Sequence, residues 1–106
     1  MSLLTDIKAK HLVPGIIGHY AHGDKASMGL VLIDKGSVLP EHSHIHEQIT
    51  YILEGQLDMM IGGQPYSLTG GMFHVIPSNT LHSAVAATDC KVIDVFTPVR
   101  EDYRSC

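Results

Sequence analysis

Residues 56–69 read QLDMMIGGQPYSLT, two runs that alternate apolar and polar side chains around a glycine pair. A two-residue primed turn needs positive φ at its centre, and Gly62-Gly63 adopts it without a Cβ penalty. The stretch is predicted to be a β-hairpin, with Gln56–Ile61 held in register against Gln64–Thr69. Similar short runs lie on either side: MGLVLI, ITYILE, MFHVI, LHSAVAA and CKVIDVF, with DKG, G, TGG, PSN, TD and TP as punctuation. No helical periodicity lasts three turns, so the chain reads as an all-β antiparallel sandwich or barrel. The 106 residues suffice for one domain and no more. Its core is expected over about 27–98, with an N-terminal edge segment at 1–26 and a polar tail at 99–106 that forms a loop or a short helical turn.

Composition narrows the partners. With net charge -4 and only seven Lys plus Arg, the chain has no basic stripe for a phosphate backbone, which argues against nucleic acid and for a small molecule. No apolar run approaches the roughly 20 residues of a membrane span, and the start, MSLLTDIKAKH, lacks a signal-peptide core, so a cytoplasmic location is expected. Cys90 and Cys106 make no disulfide framework and are read as free thiols. Eight histidines, scattered at 11, 19, 22, 42, 44, 46, 74 and 82, exceed ordinary usage for a domain of this size. That excess requires a reason.

Residues 42–48, HSHIHEQ, concentrate three of them beside a carboxylate and an amide. In an extended chain side chains alternate, so His42, His44, His46 and Gln48 would share one face and Glu47 the other. Imidazole nitrogen and amide oxygen both serve a borderline divalent metal. Glu47 is chemically the stronger ligand, and a bulge between His44 and Gln48 would exchange it for Gln48. The HxH pair alone suits a solvated loop as well as a site; the rest of the chain decides.

Gly36-x5-His42-x-His44-x3-Gln48-x6-Gly55, followed after 15 residues by Gly71-x5-Pro77-x4-His82, resembles the paired motifs of the cupin superfamily. The resemblance implies a double-stranded β-helix, a jelly-roll barrel in which His42, His44, Gln48 and His82 converge on one divalent transition metal (Ni, Mn, Zn or Fe). Such a barrel can hold one small ligand beside the ion. The family's first motif carries glutamate where this chain has Gln48, leaving the ion its full charge: weaker retention, stronger polarisation of a bound oxygen. Asn79 replaces a glycine of the second motif and can still take a left-handed backbone, and Ala86 stands where the family has asparagine. His46 and His74 are expected to line the pocket or support the ligands.

A third segment bears on activity. Asp94–Tyr103, DVFTPVREDY, resembles the closing segment of pectin-degradation cupins that open unsaturated uronate rings. In that group the aspartate moves protons, the phenylalanine lines the pocket and the arginine holds the substrate carboxylate, which implies catalytic roles for Asp94 and Arg100 and a pocket role for Phe96. The residue types agree: an inward carboxylate near a cation is poised for proton transfer, and a guanidinium fork suits a carboxylate better than lysine. The expected partner is thus a small carboxylated sugar. Two alternatives stay open, an iron-dependent oxygenase and a sugar- or metabolite-binding cupin without turnover. Asp94 also suits a strand end satisfied by backbone, and REDYR a solvated charged end. Ile49, Tyr51 and Leu53 make an apolar row opposite the ligand face, either a second layer of the barrel or a subunit interface; since cupins are commonly homodimers, a homodimer is expected.

Overall fold

In the computed structural model, which describes residues 2–104, ten strands form two antiparallel sheets. They are β1 (Lys10–Val13), β2 (Ile16–His22), β3 (Ser27–Ile33), β4 (Val38–His42), β5 (Glu47–Glu54), β6 (Gln56–Ile61), β7 (Gln64–Thr69), β8 (Phe73–Ile76), β9 (His82–Ala86) and β10 (Cys90–Thr97). One sheet has the order β1-β2-β3-β10-β5-β8 and the other β4-β9-β6-β7. This is an all-β jelly-roll, closed at the C-terminal end by one helical turn, α1 (Glu101–Arg104). The predicted hairpin is β6–β7, with Gly62 at φ 57 and Gly63 at φ 80 and the register running from Gln56↔Thr69 to Ile61↔Gln64.

Strand alternation builds the interior. Leu57, Met59 and Ile61 of β6 face inward against Val31, Ile52 and Val92 of the opposite sheet. Ile52 and Ile76 have no solvent exposure, and burial of a side chain of this size contributes about 1.5–3 kcal/mol. Towards one end of the barrel the same inward positions turn polar: Gln48 and Thr50 on β5, Asp94 on β10 and His82 on β9. That change of character, on the inner faces of both sheets at one end of the barrel, positions the site.

Three expectations need correction. Residues 42–48 are not one extended strand, because β4 ends at His42 and β5 begins at Glu47. The intervening residues bend, so strand parity does not by itself explain where His44 and His46 point. Residues 10–22 do more than guard an edge: β1 forms the edge, but β2 sits inside the sheet and sends Ile16 and Tyr20 into the core. Gly18 and Gly29 make room for the Tyr20 ring, which a Cβ at either position would overlap. Ile49, Tyr51 and Leu53 are not covered by a second layer; they lie exposed on the outer face of the six-stranded sheet, beside Phe73 and Val75 of β8.

Cys90 is buried and free, and Cys106 lies outside the described residues. Among the described residues no helix is long and apolar enough to cross a membrane.

Candidate metal centre and pocket

His42 ends β4 directly opposite His82, the first residue of β9. His44 lies in the bend before β5, whose neighbouring turn is anchored by the Asn79 N–H donating to the His44 carbonyl at 2.7 Å. Asn79 has φ 62, the left-handed backbone its place in the second motif requires. These contacts gather His42, His44 and His82 so that one ligand nitrogen of each lies within 4.8 Å of the others.

The tautomers follow from the backbone. Each Nδ1 faces a carbonyl oxygen: His42 to Pro40 at 2.8 Å, His44 to His46 at 3.0 Å and His82 to Thr80 at 2.8 Å. A carbonyl only accepts, so every Nδ1 carries the proton and every Nε2 keeps a lone pair. The His82 Nε2 is buried and has no partner within the protein. The His44 Nε2 lies 3.1 Å from the Gln48 side-chain oxygen, so two lone pairs face each other. A cation held between them resolves both features, and imidazoles oriented through Nδ1–H to backbone carbonyls are ordinary metal-ligand geometry. Burial, assisted by the Arg100 charge and by His82, pushes His44 down to about 4, and burial likewise lowers His82. These groups are neutral at pH 7, as ligands must be. Residues and chemistry therefore fit a divalent transition ion held by three imidazoles, with the Gln48 oxygen available as a fourth donor.

Gln48 is buried while Glu47 faces solvent, so the inward member of that pair is the amide. Its Nε2 donates to Thr50 Oγ1 at 2.8 Å and to Asp94 Oδ1 at 3.3 Å, and Thr50 donates to Asp94 at 2.8 Å. Desolvation raises the Asp94 carboxyl to about 6 against the lowering pull of those hydrogen bonds and of Arg100. Asp94, Gln48, Thr50, His42 and His82 line one interior cavity of about 50 Å³, with Phe96 and Arg100 on its wall. Arg100 stacks on Phe96 at 4.7 Å and on Tyr103 at 3.8 Å, and its Nε and Nη2 both donate to the Asp102 carboxylate, at 3.0 and 2.7 Å.

The remaining histidines sit apart. His46 is buried but donates through Nε2 to the Val99 carbonyl at 3.2 Å, tying the bend to the C-terminal segment, and it is not part of the trio. His74 does not line the cavity: it shares the inner face of its sheet with Thr50, yet its ring stacks on Tyr66, 4.3 Å between centroids. Sequence reasoning passed over Thr50, Tyr20 and Tyr103, all cavity-lining. Thr50 carried a usable signal, since it lies two residues beyond Gln48 on the same strand face.

A family model described as "Cupin domain" matches residues 29–96. The chain is a cupin. It is similar to the pectin degradation protein KdgF of Dickeya dadantii (strain 3937), 33% identical over 82 residues that cover 76% of this cupin and 74% of the relative. The solved structure of KdgF from Halomonas sp. is 33% identical and superposes with TM-score 0.86, covering 93% of each chain. An RmlC-like cupin from Shewanella frigidimarina, 27% identical, superposes at 0.90 over 97% of this cupin and 94% of that chain. The likeness thus spans the N-terminal strands as well as the matched motif region.

Proposed function

We propose that this cupin opens the ring of a 4,5-unsaturated uronic acid, giving the linear 4-deoxy-5-keto uronate. The observation that carries the reading is the placement of Asp94, a carboxyl raised to about 6, on the same small cavity as His42, His82 and Gln48, with Arg100 on its wall. The likeness to two KdgF proteins supports it, one of them named for pectin degradation.

A divalent ion held by His42, His44, His82 and Gln48 supplies Lewis-acid polarisation of substrate oxygens when bound. The protein's own groups do the rest. Arg100 receives the substrate carboxylate through its planar fork. The ring lies between Arg100 and Asp94, with Phe96 and Tyr103, which line the same cavity, as apolar walls. Asp94 accepts the C1 hydroxyl proton as the C1–ring-oxygen bond breaks and C1 becomes an aldehyde. The electrons released onto the ring oxygen form the C5 ketone, and C4 takes the proton back from Asp94. Nothing is oxidised or reduced; a carboxyl near 6 can both take and return a proton at neutral pH.

Three further parts of the reading are the ion, a nickel, manganese, zinc or iron dication; a cytoplasmic location; and a homodimer formed through the outer face carrying Ile49, Tyr51, Leu53 and Phe73. The test is the loss of enol-ether ultraviolet absorbance from freshly prepared 4,5-unsaturated uronate, with metal-loaded and with chelated protein, while dissolved oxygen is monitored. Metal-dependent decay without oxygen uptake supports the reading. Decay that matches the protein-free control contradicts it, and oxygen uptake points instead to an iron oxygenase.

A further inference from the structure

Gln48 is an amide, and its two ends have opposite chemistry: the oxygen end offers a ligand lone pair, the nitrogen end a donor that would close the site by bonding to His44 Nε2. Something must choose between them. Thr50 is 1% exposed and sits on β5 directly opposite Asp94 of β10. Its single hydroxyl proton goes to Asp94 Oδ1 at 2.8 Å, which leaves only oxygen lone pairs to face Gln48, 2.8 Å away. A lone pair accepts only from a donor, and the donor end of the Gln48 amide is its N–H. The amide nitrogen therefore turns toward Thr50, and the oxygen is left 3.1 Å from His44.

We propose that Thr50 is a positioning residue for the metal centre: by committing its proton to Asp94, it fixes the Gln48 amide with its oxygen toward His42, His44 and His82. This inference rests on the metal reading above but not on the uronate reading. The competing orientation has a partner waiting, since an amide N–H aimed at the His44 lone pair makes a neutral hydrogen bond. Without the Thr50 oxygen, only the longer contact to Asp94 at 3.3 Å opposes that turn. Thr50→Val keeps the branched shape and deletes the acceptor; Thr50→Ser keeps the acceptor. Gln48→Glu abolishes the choice altogether, because both ends of a carboxylate are oxygen.

The test is Ni²⁺ affinity by competition with a colorimetric chelator, on wild type, Thr50→Val, Thr50→Ser, Gln48→Glu and the Gln48→Glu/Thr50→Val double variant. Supporting groups one step from the ligands typically set affinity by 10–100-fold; the expected result is a loss of at least about tenfold for Thr50→Val and less than about twofold for Thr50→Ser. In the Gln48→Glu background, Thr50→Val should cost less than about twofold, since no amide remains to be turned. An unchanged affinity in Thr50→Val, or an equal loss in both backgrounds, overturns the inference while leaving the metal reading intact. A wild-type protein that takes up no divalent ion overturns both. Circular-dichroism melts identify any variant that loses its fold, and Thr50→Ala then replaces Thr50→Val in the same comparison.

Discussion

At the scale of single residues the site is an arrangement of protons. Three Nδ1–H groups are spent on backbone carbonyls, and one threonine proton is spent on Asp94. The lone pairs left over all face the same small volume. Two shifted groups give the metal-free protein an unusual pH dependence. His44 stays neutral in the folded chain down to about 4 but charges near 6.5 when unfolded, so its contribution to stability is lost as pH falls from 6.5 toward 4. Asp94 holds its proton up to about 6 when folded and only to 3.8 when unfolded, so stability is lost as pH rises through that range. The two slopes oppose each other in the wild type. Asp94→Asn removes the second, and the metal-free variant should therefore show a melting temperature that falls more steeply than wild type between pH 6.5 and 4. Parallel curves would mean that Asp94 is not desolvated. Arg100→Lys keeps the charge but loses the fork, and should raise KM for the uronate about tenfold, equivalent to about 1.4 kcal/mol, with kcat little changed.

At the scale of elements, α1 lies over the cavity and brings its own carboxylate to the group that would receive the substrate's. Asp102 fills the Arg100 fork in the same two-bond geometry that a uronate carboxylate would use. Substrate binding then requires exchange, and Asp102→Asn should lower KM severalfold in steady-state kinetics. A raised KM would mean instead that Asp102 orients the guanidinium. Strands were easier to read from sequence than this closing turn. The runs of β3 and β5 through β10 are legible because apolar alternation ends at turn-forming residues, as at Gly62-Gly63, Gly55 and Thr88-Asp89. β4 is not, because Pro40, Glu41 and His42 are poor strand formers, and its pairing with β9 is interrupted between Leu39 and His42. His42, His44 and Gln48 were selected by strand parity, yet a bend rather than a strand carries His44. The motif spacing, not the local geometry, points to the three histidines that the structure brings together, His42, His44 and His82. Thr50 went unnoticed because threonine in a strand is ordinary; its meaning lies in Asp94, 44 residues away.

At the scale of the whole molecule, the two faces of the six-stranded sheet have different tasks. The inner face turns polar toward the metal centre, while the outer face leaves Met28, Ile49, Tyr51, Leu53, Phe73 and Val75 exposed. Contiguous apolar surface on a small domain marks an interaction site, and in the proposed homodimer a second copy would bury it symmetrically. Tyr51→Glu and Phe73→Glu should each shift the mass measured by light scattering after gel filtration from dimer to monomer, with metal affinity unchanged. A monomeric wild type at micromolar concentration would contradict the homodimer. Ile52→Ala, by contrast, removes a fully buried side chain and should cost about 2–5 kcal/mol in denaturant unfolding.

The most direct test of the central claim is a proton NMR time course of metal-loaded protein with 4,5-unsaturated uronic acid, comparing wild type, Asp94→Asn and a protein-free control. Rapid loss of the vinyl proton is expected with wild type, and a rate at least about 100-fold lower with Asp94→Asn, the usual size of a general acid–base contribution. Equal rates in all three samples, with Ni²⁺ binding intact in both proteins, would contradict the claim.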